Sequence, residues 1–369
     1  MRPTVTRLAF IDALKAIASQ LVVLHHLAFY GPMSDVAREL APALFSWLSQ
    51  DARIAVQIFL VIGGFLAAKA LAPNGTLLTQ APLTLLKKRY FKLVIPYFAA
   101  VVLCIIFSSI ARHLIEHDSI PGRPTLLQIL AHLTLLQSLL DFDSLSAGVW
   151  YIAIDFQLFS LLLALLWLAR TTGQGISHVP KLGVAFVAVL SLASLFYFNR
   201  SATWDNWALY FFGSYALGAL TYWATLSERK PIWLFTIAMV VTAALSIDFR
   251  SRIVLALITA LALGLSCHFG FLENTPKSKV LAYLGKISYS VFLAHFPVIL
   301  VINALVTRLS PDSLALNAFG FIFAWAASIA SGALFYRFIE NRTHRWQEIL
   351  INPVLRTIER FALVLRTKP

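Results

Sequence analysis

Apolar residues in this chain run in blocks of about 20, with polar residues gathered in the gaps between them. A helix of roughly 20 residues rises about 30 Å, enough to cross the hydrocarbon of a bilayer. Ten such blocks occur, near residues 8–30, 54–72, 93–115, 150–169, 181–198, 205–226, 232–248, 252–271, 286–307 and 314–339. A further apolar stretch, 126–140, is bounded by Pro124 and Asp141. At about 15 residues it has the length of a re-entrant or interfacial segment. The pattern predicts an all-α integral membrane bundle of about ten transmembrane helices over residues 1–345, with one extra short re-entrant or interfacial helix. In the remainder, 346–369, Leu355, Ile358, Phe361, Ala362 and Leu365 fall at helical spacing, with Arg356, Arg360 and Arg366 elsewhere. That spacing predicts a basic amphipathic tail lying on the inner membrane surface. No internal repeat, low-complexity linker or appended soluble domain is visible.

Composition agrees with the pattern. Of 369 residues, 59% are hydrophobic and 13% charged, against about 25% charged in soluble domains. The mean hydropathy is +0.77. A net charge of +13 could point to nucleic acid, but the basic residues lie between the blocks, as membrane orientation requires. With ten crossings, nineteen Lys and Arg fall in segments on the side of Met1 and eight on the other. Both termini are therefore expected in the cytoplasm of a multi-pass cell-membrane protein. Counting 126–140 as a crossing would export the basic tail. The first block is not a removable leader, because it contains Lys15, His25 and His26 and no small-residue cleavage site follows it. Cys104 and Cys267 each sit inside a block, so neither a disulfide framework nor a metal site is expected.

Candidate chemistry begins in the first span. Eleven residues separate Lys15 from His26, and eleven steps of 100° stop about 20° past three full turns. A helix here stacks both side chains on one face, roughly 16 Å apart. Asp12 lies one turn earlier on an adjoining face, and His25 points away, toward packing. Ionisable groups are costly in hydrocarbon and usually face a bundle interior or a wet cavity. The predicted topology places His26 near the outer end of its helix, with Asp155 and Gln57 at similar depth. It places Arg89, Lys92 and Lys286 at the inner mouth and His295 near the midplane. A His beside a carboxylate suits general-base work, and a Lys/Arg cluster suits phosphate. A phosphate-bearing donor entering from the cytoplasm and an acceptor hydroxyl near the outer leaflet would use both. Plainer readings exist: helix-end cations set topology and snorkel, His295 can be a hydrogen-bonded packing residue, and Glu340 beside Arg337 and Arg342 reads as a surface ion-pair cluster.

Several segments together resemble the membrane acyltransferase-3 family. Phe10 to Ala18 running on to Leu24-His25-His26 is similar to the family's opening, where an Arg, ten residues and a His share the first helix; Lys15 stands at the Arg position. Val56 to Leu66 resembles the second-helix motif, with Gln57 where Asp is common and Gly63 where Ser is common. Lys88-Arg89-Tyr90-Phe91-Lys92 through Pro96-Tyr97 resembles the basic motif before the third helix. Trp150 through Asp155, Gln157 and Phe159 resembles a Trp-x-x-x-x-Glu-x-Gln-Phe segment, with Asp155 for Glu. Lys286, Ser288, Tyr289 and Ser290 through His295-Phe296-Pro297, then Tyr336 to Glu340, resemble the closing motifs. The likeness covers about residues 8–345.

The resemblance implies transfer of an acyl group, usually acetyl from acetyl-CoA as co-substrate, to a hydroxyl of a cell-surface or exported carbohydrate or a lipid-linked glycan. It gives His26 the catalytic role with Asp155 as its acidic support. Lys15, Arg89, Lys92 and Lys286 then bind the donor, and Asp12, Gln57, Trp150, Gln157, Ser288, Tyr289 and His295 support the site or the substrate. Lys lacks the bidentate fork of Arg. No metal is implied, and the expected partners are membrane lipids and the glycan acceptor. The rival readings are a secondary transporter, with Asp12, Lys15, His26 and Asp155 as a proton or substrate path, and a non-catalytic partner of a polysaccharide export system. The chain shows no duplicated halves with broken helices, as many transporters do.

Overall fold

A computed structural model describes residues 8–173, 179–273 and 275–351. The described residues form helices and connecting turns, with no strand among them. In chain order the helices are α1 (Ala9–Phe29), α2 (Pro32–Ala37), α3 (Pro42–Gln50), α4 (Val56–Leu71), α5 (Pro82–Leu114), α6 (Leu126–Leu133) and α7 (Val149–Thr172). They continue as α8 (Val179–Phe196), α9 (Ala208–Leu226), α10 (Lys230–Ile247), α11 (Ser251–His268), α12 (Lys279–Leu309), α13 (Leu314–Phe338) and α14 (Thr343–Trp346). Among the described residues, nine helices are long and apolar enough to cross a membrane. The chain is a multi-pass, all-α membrane bundle.

The predicted span at 205–226 is α9, which is long but more polar than the others. Its position explains this. Residues 210–219 of α9 are buried, including Tyr210, Phe212, Ser214 and Tyr215. A helix enclosed by protein does not need a lipid-compatible surface. The peripheral α10 is the converse, burying Leu234, Val241 and Ala244 and turning Ile232, Trp233, Phe235 and Met239 outward.

Close helix approach is set by glycine. A Cβ on Gly64 of α4 would lie 1.8 Å from the Tyr215 carbonyl oxygen of α9, and one on Gly218 of α9 would lie 1.9 Å from the Val61 carbonyl oxygen of α4. Small residues let membrane helices meet backbone to backbone. The same device joins α1 to α12, where a Cβ on Gly285 would lie 2.1 Å from the Asp12 carbonyl oxygen.

Two boundaries differ from those expected. The third span begins at Pro82 rather than near 93, giving a helix of 33 residues. The ninth begins at Lys279 and runs for 31 residues. Pro96 and Pro297 lie inside these two helices, as membrane helices tolerate when neighbours satisfy the freed backbone groups. Between the first two spans, where no element was expected, α2 and α3 fold over the end of α1. Asn303 of α12 holds this cap: its Oδ1 accepts from Met33 N at 3.0 Å and its Nδ2 donates to Tyr30 O at 2.8 Å. The short stretch after Pro124 is α6, started by a capping box between Thr125 and Gln128. Leu126, Leu127 and Leu130 point outward from it, as an interfacial helix requires. The tail expected over 346–369 lies outside the described residues from position 352 onward.

Candidate functional site

His26 lines a cavity of about 760 Å³ at the C-terminal end of α1. Phe29, Tyr30, Trp150, Phe292 and Phe296 supply aromatic walls, and Ser49, Arg53, Asp118, Arg123, Asp143 and Ser144 bring polar groups to the same space. An aromatic lining with a few convergent polar groups is the usual make-up of a small-molecule site. A larger groove of about 930 Å³ between α8, α9 and α10 is lined mostly by Leu, Val, Ala and Trp. Of the expected site residues, His26 and Trp150 line the first and none lines the second.

Each side of the cavity is fixed by local structure. Gly148 begins α7 with φ of 83°, a left-handed conformation open to glycine. A Cβ there would meet Phe292 at 3.0 Å and the His26 ring at 3.6 Å, so its bareness leaves room beside the imidazole. The loop through Asp143 to Ser146 is tied to α6 twice. Gln128 Nε2 donates to Asp143 O at 2.8 Å, and Leu145 N donates to His132 Nε2 at 3.1 Å. His132 Nδ1 lies 2.8 Å from Gln128 O. Burial lowers the His132 pKa below its ordinary value, and the Gln128 carbonyl opposes that only in part.

The partner of His26 is a second imidazole. His26 Nδ1 and His295 Nε2 are 2.7 Å apart, with ring planes 5° from parallel. His295 Nδ1 in turn lies 3.1 Å from the Val291 carbonyl oxygen, one turn back along α12. Both rings are buried. His295 therefore stands at the depth of His26 and not near the midplane. His25, expected to pack, turns to α3 and bonds Leu48 O through Nδ1 at 3.0 Å.

Asp155 does not support His26. Its Oδ2 pairs with Arg89 Nη2 inside the bundle, and the Arg89 guanidinium lies over the Phe159 ring at 5.2 Å. The depth expectation erred because α5 starts eleven residues early. Arg89 then lies about 10 Å along the helix instead of at its mouth, and its long side chain reaches the carboxylate. Several buried polar atoms near this layer have no protein hydrogen bond: Gln57 Oε1, Arg89 Nε, Tyr97 Oη, Tyr215 Oη and Gln157 Nε2. The other end of Gln157 is used, Oε1 accepting from Ala208 N at 3.0 Å.

Of the other expected donor ligands, Lys15 and Lys92 both act electrostatically on Glu340, whose Oε2 accepts from Ser290 Oγ at 2.5 Å. Glu340 is thus half-buried and turned toward α12, while Arg337 and Arg342 lie over Phe338. Lys286 is exposed, its ammonium 4.9 Å from the centre of the Tyr336 ring. Ser288 Oγ donates to Gly285 O, and Tyr289 Oη to Leu93 O at 3.2 Å. Trp150 packs on Phe211 at 5.6 Å between centroids and lines the cavity. Asp12 abuts Gly285 through its backbone. Sequence reasoning missed Glu340 because two flanking arginines offered a simpler partner. It missed Tyr151, packed against Phe59 and Phe292, and Tyr215, whose buried hydroxyl has no protein hydrogen bond, because a Tyr in an apolar block looks like core.

A polytopic helical bundle with paired charges and a histidine-lined cavity inside it is a membrane-embedded protein built for chemistry on polar groups. A family model for the acyltransferase domain, of the acyltransferase-3 type, matches residues 8–355, and the chain belongs to the membrane acyltransferase-3 family. It is a membrane acyltransferase. No curated protein and no solved structure matches the chain.

Proposed function

We propose that this protein moves an acyl group, acetyl in the simplest case, from acyl-CoA to a hydroxyl of a cell-surface or exported carbohydrate. The observation that carries the reading is His26 at the wall of a cavity lined by aromatic and hydroxyl-binding side chains. Aromatic faces suit the apolar faces of a sugar ring, and Asp118, Asp143, Arg53 and Arg123 suit its hydroxyls. Lys92 and Lys15, with Arg89 deeper, make a cationic path for the donor's phosphates from the opposite end of the bundle. The basic segments beside that end favour a cytoplasmic donor side, and the cavity then faces the outer leaflet. In this scheme His26 takes the acceptor O–H proton, the oxygen attacks the thioester carbonyl, and the C–S bond breaks. The proton then passes from His26 to the departing thiolate.

The test is His26→Ala in purified protein reconstituted in lipid vesicles with labelled acetyl-CoA, alongside mass spectrometry of envelope glycans from cells making either form. Loss of label transfer and of the glycan acyl group, with helicity and melting temperature retained, is expected. Transfer at near wild-type rate by His26→Ala overturns the assignment. Uptake of solute without transfer by the wild type overturns the reading in favour of a transporter.

A further inference from the structure

The bond pattern around His26 leaves one arrangement of protons. The Val291 carbonyl can only accept, so His295 Nδ1, 3.1 Å away, carries a hydrogen and donates it. Neutral His295 then has a bare Nε2. The nitrogen facing it at 2.7 Å, His26 Nδ1, must be the donor. His26 is left with its lone pair on Nε2, the arrangement a general base needs. No carboxylate takes part in this chain of bonds, which runs from a backbone carbonyl through one imidazole to the next.

We infer that His295 is a positioning residue that fixes the tautomer and ring orientation of His26, the task the sequence assigns to Asp155. The inference rests on the reading of His26 as the base. When His26 Nε2 takes the acceptor proton, the positive charge forms on a ring already donating to His295 Nε2. The charge is then shared with His295, which the Val291 carbonyl stabilises. The proton on Nε2 leaves with the thiolate, and the pair returns to its starting state. The charged and titratable neighbours are few: His25 on the same helix, Arg53 beside His25, and Tyr30, whose ring centre lies 5.6 Å from that of His26. None of them can accept from His26 Nδ1 while His295 occupies it. Asp155, held by Arg89, is left to shape the interior of the bundle.

The experiment compares His295→Leu with His295→Gln. Leu cannot accept the His26 N–H. The Gln side chain carries an amide oxygen that can. His295→Leu is expected to lower kcat about 10³-fold, within the range for a lost acid–base arrangement, while KM for acetyl-CoA and acceptor stays within about twofold. His295→Gln is expected to recover most of kcat. Nitrogen-15 spectra of histidine-labelled protein should show His26 protonated at Nδ1 in the wild type and shifted toward Nε2 in His295→Leu. Wild-type kcat in His295→Leu, equal damage by Gln and Leu in folded proteins, or a wild-type His26 protonated at Nε2 overturns the inference. If neither variant folds, the wild-type spectrum still decides. Failure of the parent reading looks different: His26→Ala remains active, whatever His295 does.

Discussion

Gly285 links packing to chemistry, and adding one methyl group there tests the link. In Gly285→Ala the new Cβ falls 2.1 Å from the Asp12 carbonyl oxygen and 2.6 Å from its carbon. A carbon approaches a carbonyl oxygen to about 3.3 Å, so α1 and α12 must separate by roughly 1.2 Å. Both obstructing atoms are backbone, and no side chain can swing aside to relieve them. The two helices run side by side in the same direction, with Asp12 beside Gly285 and His26 beside His295. Carried rigidly to the histidines, the separation stretches their 2.7 Å bond to about 3.9 Å, past the hydrogen-bond limit. Overpacking of this kind destabilises by about 1–3 kcal/mol, and a misplacement of about 1 Å at a reacting group can lower turnover about 10²-fold. Melting in detergent reads the first effect, and label transfer from acetyl-CoA in vesicles reads the second. An unchanged melting temperature refutes the packing argument. A lowered melting temperature with unchanged turnover refutes the transmission to the histidines.

Asp155→Leu leaves Arg89, whose side chain is a quarter exposed, without its counter-charge and is expected to destabilise by about 1–3 kcal/mol. The double variant Arg89→Met with Asp155→Leu should recover much of the loss. Strictly additive losses in a double-mutant cycle of melting free energies would show that the two do not act as a pair. The His132 loop anchor should weaken in acid. Its pKa is lower in the folded state than in the unfolded state, so the unfolded state binds the proton first. Stability from this group is complete above about pH 6.5 and falls as pH drops below it. Protonation at Nε2 also breaks the bond from Leu145 N. Hydrogen exchange over residues 141–148, corrected for intrinsic rate, is expected to be faster at pH 5.5 than at pH 7.5; equal protection at both refutes the anchor.

Much of the fold is legible in the chain because a bilayer imposes a length on each apolar block and a charge bias on each loop. The helices near 8–30, 150–169, 232–248 and 314–339 can be read to within a few residues. The ends of α5 and α12 cannot, since their extra turns carry Lys87, Lys88 and Lys279, which a hydropathy reading assigns to loops. The caps α2 and α3 are also hidden: they are short, and their polar ties come from Asn303, about 270 residues later, and from His25 of α1.

For the site, the spacing of Lys15 and His26 on one helix face, and the presence of cations near the start of the third span, follow from the order of residues alone. Helical periodicity is a local property and needs no neighbour to define it. Which groups meet across helices is not local. Asp155 was expected beside His26. Only the packing of α5 against α7 gave it to Arg89, and only the Gly285 contact between α1 and α12 brought His295 to His26. A hydrogen bond is decided over a few tenths of an ångström, and that margin is set by how closely backbones can approach, which no single helix contains.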